Sequence, residues 1–375
     1  MKKPILPTIV LGLMNPAISF ADINLDLLNT RITELEKAYT RIAELEKTQL
    51  HLAELTNTGN AESKPNAWND RVTISGLVEV EAFKAHDGSD NTSDITLATV
   101  ELGIDVQINK QIGAHVLLLH EEGEDQEVVV DEGYISMAFG ESGWNAIVGK
   151  QYVPFGNLES NFIIDPLTLD LAETQNTALT FVYENSGSYA AVYAMNGDIN
   201  EVGKDENIEQ FGLSIGHRIK NSPIGLDIGI DYSSNIAEAE SLSDTFSTSE
   251  VEGYVGGLAA HAVFEMGNLS VFTEYVTALE KFDAADLASS GDGAKPNAYN
   301  LEIAYAFDDV SVALGIQETD EAEAAGLDEQ RLILGISTGI ADNTSFGIEL
   351  MRASTYEENG GDDITVLTMQ LAVAI

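Results

Sequence analysis

Few residues of this 375-residue chain have the right type and spacing for covalent chemistry. Cysteine is absent, which removes thiolate nucleophiles, thiolate metal sites and any disulfide framework. Two pentapeptides, Gly212-Leu-Ser214-Ile-Gly216 and Gly335-Ile-Ser337-Thr-Gly339, match the G-x-S-x-G pattern of serine esterases. That chemistry needs a serine on a strand-to-helix elbow. Both pentapeptides instead lie inside strand-like segments, with glycine and serine on the small, polar phase. His115, His217 and His261 are conceivable bases, yet they fall on different segments with nothing in the sequence to make them converge. The acidic stretches 87–94 and 291–293 lack the EF-hand spacing and read as plain acidic loops. No catalytic residue, metal site or cofactor is assigned, and a Ser/His hydrolase is only a minor reading.

Carboxylates, by contrast, are abundant. The chain has 62 acidic and 18 basic side chains, a formal net charge of −44. Such a chain repels nucleic acid, whose binding needs clustered Lys and Arg. The acids fall into two sets, and the elements that position them follow from periodicity.

From Val72 onward one unit recurs: an alternating segment of about ten residues, then a break. Val100, Leu102, Ile104 and Val106 alternate with Glu101, Gly103 and Asp105. Leu226, Ile228 and Ile230 alternate with Asp227, Gly229 and Asp231. About sixteen such segments are legible, among them 72–84, 94–107, 250–265 and 269–281. The breaks alternate between short ones, such as 109–111, 140–142 and 341–343, and long ones at 85–93, 122–127, 153–176, 197–206, 235–249, 282–296, 319–327 and 356–363. An even strand number with alternating short and long connections is the design of an outer-membrane barrel. The last segment keeps its apolar phase through Leu367, Met369, Leu371, Val373 and Ile375. The expected fold is all-β: a transmembrane antiparallel barrel of about sixteen strands over 72–375, with short turns periplasmic and long loops outside.

The first 71 residues read differently. Lys2 and Lys3 precede a short apolar run and the small-residue site Ser19-Phe-Ala21, the pattern of a signal peptide (1–21) cleaved near Ala21. Arg31-Ile-Thr-Glu-Leu-Glu-Lys37 recurs as Arg41-Ile-Ala-Glu-Leu-Glu-Lys47, with apolar residues at 3/4 spacing. Residues 22–55 are therefore expected to form a short periplasmic coiled-coil helix able to support a homotrimer, and 56–71 a linker.

The two carboxylate sets now have positions. Glu79, Glu81, Glu101, Asp105, Asp227, Asp231, Glu302 and Glu349 share the polar phase of their strands, and Arg331 shares it too. Charge on a lipid face costs up to a few kcal/mol at the midplane, so these side chains are expected to face the lumen. A lumen lined with acids favours cations. The second set, Glu159, Asp165, Asp170 and Glu173, lies in the break after the fifth strand. There Pro154 and Gly156 end the strand and turn the chain. Lys150 lies within the same acidic block.

This block carries a family resemblance. Asp131-Glu-Gly-Tyr-Ile-Ser136, then Val148-Gly-Lys-Gln-Tyr-Val-Pro-Phe-Gly156, Glu159, Asp165-Pro-Leu-Thr-Leu-Asp170 and Glu173-Thr174 together resemble the LbtU family of siderophore porins. The strand followed by Pro-Phe-Gly is also similar to the phosphate-selective porin O and P family, although the basic ladder such pores need is missing here. The LbtU resemblance implies an outer-membrane barrel without a globular plug that admits a ferric siderophore or similar small chelate. The loop's place after the fifth strand, its Val153-Pro-Phe-Gly156 turn and this resemblance together predict a loop folded inward, with Lys150, Pro154, Phe155, Gly156, Glu159, Asp165, Asp170 and Glu173 as constriction candidates. A general cation-preferring diffusion porin is the alternative, and an adhesin tethered by the coiled coil is a minor one. The expected surroundings are lipid and lipopolysaccharide of a Gram-negative outer membrane.

Overall fold

The computed structural model describes residues 71–375, apart from 89, 123–126, 221–223, 247–248, 290, 360 and 362. The expected signal peptide, coiled coil and linker lie outside the described residues.

Sixteen antiparallel strands close into a barrel, each paired with its neighbours in sequence. They are β1 (Val72–Asp87), β2 (Asp90–Gln107), β3 (Ile112–His120), β4 (Val129–Ala138), β5 (Trp144–Tyr152), β6 (Gln175–Asn185), β7 (Ser188–Met195) and β8 (Gln210–Ile219). The second half continues with β9 (Ile224–Ser233), β10 (Gly257–Met266), β11 (Leu269–Ala278), β12 (Asn297–Phe307), β13 (Val310–Asp320), β14 (Gln330–Ala341), β15 (Thr344–Ser354) and β16 (Asp363–Ala374). β16 pairs with β1 from Leu77↔Ala374 to Asp87↔Ile364, so the barrel sheet has no open edge. Gly76 and Ile375 exchange backbone hydrogen bonds of 2.8 and 3.2 Å at the end of that seam.

Side-chain alternation explains why this sequence closes this way. Ile224, Ile228 and Ile230 on β9, Leu314 and Ile316 on β13, and Leu332, Leu334 and Ile336 on β14 are all exposed on the outer wall. Their strand neighbours Asp231, Gln317 and Ile333 are buried inside. Phe139, Trp144 and Phe307 are exposed near the short turns. In water such an apolar band is a liability, whereas in hydrocarbon it is the stable face of a barrel. Among the described residues no helix is long and apolar enough to cross a membrane.

Three element boundaries differ from expectation. The break at 85–93 is mostly strand: β1 and β2 stay paired out to Asp87↔Asp90. Beyond the apolar band both faces of a hairpin meet water, so polar residues there carry no alternation to read. The segment 250–265 begins its barrel strand only at Gly257. Glu250–Val251 instead pairs in parallel with Asn200–Glu201 in a small sheet between two loops. β11 ends at Ala278 rather than 281.

The long loops are packed rather than splayed. Phe155, Leu167, Leu171 and Ala172 join Ile199, Ile236, Leu242, Phe246, Val255, Phe282, Leu287 and Leu327 in one buried apolar cluster. Two single-turn helices, α1 (Leu167–Asp170) and α2 (Glu240–Ser243), belong to it. Tyr356, just past β15, is buried as well, its hydroxyl 2.7 Å from Thr319 Oγ1.

Candidate constriction site

The connection between β5 and β6 does not leave the barrel. Its base is closed by Val153 N–H donating to Thr174 O at 2.9 Å. It then runs along the inner wall, and one strand after another holds its backbone. Asp231 Oδ2 on β9 accepts from Gly156 N–H at 3.1 Å. Glu274 Oε1 on β11 accepts from Asn157 N–H at 2.6 Å. Glu302 on β12 accepts from Ser160 Oγ, Asn161 N–H and Asn161 Nδ2 at 2.9, 2.7 and 2.8 Å. Glu349 Oε2 on β15 accepts from Ile163 N–H at 2.7 Å. On the return, Gln317 Oε1 on β13 accepts from Leu167 N–H at 3.3 Å.

These four carboxylates are 0–3% exposed. A buried carboxylate is tolerable only when donors surround it, and unpaired backbone N–H groups are costly in the same way. The loop tip has no regular structure of its own, so wall acids and loop amides satisfy one another. Charge-assisted bonds of this kind are roughly twice as strong as neutral ones.

Apolar contacts fix the rest of the strap. Phe155 is buried against Gly257 and Ile236. At the far end the Phe162 ring lies over Gly315 and Gly335, and Ile163 lies over Gly347; a Cβ on Gly335 would stand 3.0 Å from Phe162 Cδ1. Inward glycines on β13, β14 and β15 are the slots into which the tip sinks. Gly156 (φ 86°) and Leu158 (φ 58°) turn the chain between the two anchors.

The sequence-predicted residues divide accordingly. Asp231, Glu302 and Glu349 face inward but lie under the strap. Asp227 is also compensated: it pairs with Arg218 Nε at 2.5 Å and accepts from Tyr189 OH at 3.0 Å. The wall made by β16 and β1–β4 carries the others. Glu81 accepts from Gln370 Nε2 at 2.8 Å, and Asp105 lies 2.8 Å from His115 Nδ1. Glu79 stands opposite Thr99 and Ala372, and Glu101 opposite Leu77 and Leu119.

On the strap, Glu159 is half-buried and Asp165 exposed. Arg331 reaches this segment: Nη1 donates to Asp165 O at 3.1 Å, and Nε pairs with Asp328 at 2.6 Å. Asp170 accepts from Ser241 Oγ at 3.3 Å, and burial pushes its carboxyl up to about 6 from 3.8 although Arg331 pulls the other way. Glu173 offers its carbonyl to Glu240 N–H at 2.9 Å. Lys150 is not among these groups; its Nζ donates to Val130 O at 3.0 Å. Pro154 is half-buried, and Phe155 is a core anchor rather than a lining residue.

Glu274, Gln317, Phe162, Gly315 and Gly347 were not singled out from sequence, and Gly335 stood out only as part of a G-x-S-x-G match. Glu274 and Gln317 do sit on the inward phase of alternating strands, which is the signal that was available. Nothing local announces that a distant loop will use them.

No family model matches the chain. A UPF0422 protein of Coxiella burnetii is 25% identical over 305 residues, covering 77% of this chain and 65% of that protein. One of Legionella pneumophila (strain Lens) is 26% identical over 321 residues, covering 76% and 59%. The chain thus spans less than two-thirds of the length of the curated relatives it matches. Among solved structures, Pseudomonas putida OprB superposes with a TM-score of 0.60 at 11% identity, covering 82% of this chain and 95% of that one. An anion-selective porin from Comamonas acidovorans gives 0.58 at 11% identity, covering 81% and 99%. A Salmonella typhi OmpF complex with daunomycin gives 0.56 at 12% identity, covering 82% and 99%. The fold is therefore that of the outer-membrane porins.

Proposed function

We propose that this chain is an outer-membrane channel whose constriction is the strap 153–174, and that it admits small chelates of the ferric-siderophore kind. One observation carries the reading: a closed barrel with an apolar outer wall has its inner wall bridged by its own loop from β5 to β15. A tube that narrows itself in this way selects by size and charge. The orientation puts the short turns in the periplasm and the long loops outside, in contact with lipid and lipopolysaccharide. The segment 22–55 would gather three copies.

The carboxylates of the β1 and β2 wall favour a second reading, a general cation-preferring diffusion porin. Deleting 157–165 separates the two. In the chelate channel, the deletion raises single-channel conductance and abolishes discrimination among ferric chelates in an uptake assay, while the barrel still assembles. Unchanged conductance and uptake would overturn the constriction. A conductance rise with no chelate preference before or after would leave the diffusion porin.

A further inference from the structure

The strap covers a straight polar row on the wall behind it. His261 on β10 pairs in register with Glu274 on β11, Glu274 with Asn300 on β12, and Asn300 with Gln317 on β13. Residues opposite one another in an antiparallel pair stand about 5 Å apart at Cβ. Four side chains therefore form one line across four strands. His261 is 8% exposed, Glu274 1%, and Asn300 and Gln317 0%.

Three of the four each leave one buried polar atom without a partner: His261 Nδ1, Asn300 Oδ1 and Gln317 Nε2. Their orientations are fixed by what the other atoms do. Asn300 Nδ2 donates to Glu302 Oε1 at 2.9 Å, so its oxygen is the free atom. Gln317 Oε1 accepts from Leu167 N–H, so its amide nitrogen is free. His261 Nε2 lies 3.2 Å from Tyr189 OH, so Nδ1 is free. Leaving each such atom unsatisfied costs about 1–3 kcal/mol.

The chemistry of the three atoms selects the occupant. Gln317 Nε2 can only donate and Asn300 Oδ1 can only accept. A metal cation satisfies the second and repels the first; an anion does the reverse. An occupant that serves the whole row must both donate and accept, and must be small enough to sit behind the strap. We propose that the seam between the strap and β10–β13 is a binding site for a row of internal water molecules, held by His261, Asn300 and Gln317. Buried waters of this kind make about three hydrogen bonds each to groups the protein leaves unpaired.

Hydroxyl-radical labelling of the intact reconstituted barrel, with radicals generated in place by an X-ray pulse, tests this. Radicals form from bound water itself, so a buried side chain touching water is labelled and a dry one is not. His261 should be oxidised at a dose that leaves Phe246, 7% exposed within the apolar loop cluster, unmodified. Equal protection of both would overturn the proposal. The second measurement is a structure in detergent at a resolution that shows ordered water. Density within hydrogen-bond reach of Asn300 Oδ1 and Gln317 Nε2 is expected, and a dry seam there would overturn the proposal. Neither readout depends on what the channel transports.

Discussion

At the residue scale the argument turns on Glu302, where four donors converge at 2.7–2.9 Å: Ser160 Oγ, Asn161 N–H, Asn161 Nδ2 and Asn300 Nδ2. A carboxylate has acceptor sites for all of them, whereas an amide has one oxygen and points hydrogens of its own at the donors. Glu302→Gln should leave at least one buried donor orphaned, at about 1–3 kcal/mol. The barrel should still assemble, and protease cleavage within 157–165 should rise several-fold. Asp170 gives a pH dependence. Its carboxyl is raised from 3.8 to about 6 by burial. Well below pH 3.8 both the docked and undocked forms are protonated, and docking is strongest. As pH climbs from about 4 to about 6 the undocked form ionises first, and docking of α1 weakens until the window is passed. Hydrogen exchange of 167–172 across pH 4–7 should show that loss in the native protein and none in Asp170→Asn. At this scale the sequence was half legible. Alternation put Glu302, Glu349 and Asp231 on the inward phase, but the partners of those acids lie more than seventy residues away, and no local pattern encodes such a contact.

At the element scale the strap's tip rests on missing side chains. The Phe162 ring occupies the space where Gly315 would carry a Cβ, whereas a Cβ on Gly339 would meet nothing within 4 Å. Both glycines face inward from barrel strands, so Gly339→Ala serves as a control that changes strand propensity alone. Gly315→Ala should push the ring out of its slot, lift the tip and raise single-channel conductance, while Gly339→Ala leaves it unchanged. Equal effects would mean that Phe162 does not seat the tip. Barrel elements were readable because a wall between two solvents must alternate. That signal vanishes where the solvents become the same. The extended β1–β2 hairpin and the small sheet at Glu250–Val251 were misplaced for this reason. The loop cluster around Phe155, Ile236 and Phe282 was invisible as well, because its residues come from five separate connections and make no periodic run.

At the scale of the whole molecule, charge and fold give different information. The chain carries −44, and much of that sits on loops and turns. Inside the barrel the strap divides the carboxylates into two groups. Asp231, Glu274, Glu302 and Glu349 are covered and bonded to backbone amides, so a passing ion meets them only through protein. Glu101 and Asp105 lie half-buried on the opposite wall. Field lines from that wall cross the remaining opening, and the low-dielectric barrel focuses them. Reconstituted channels should therefore pass K⁺ in preference to Cl⁻ at 0.1 M salt, where the Debye length is about 10 Å. The preference should fade at 1 M, where it is about 3 Å. Reversal potentials under a salt gradient measure both. The two groups separate by substitution: Glu101→Gln with Asp105→Asn should reduce the cation preference more than Glu302→Gln, whose effect on the tip should appear as conductance instead. Anion preference at 0.1 M would overturn the acidic-lumen reading. An equal loss from both variants would mean that the strap does not shield the wall behind it.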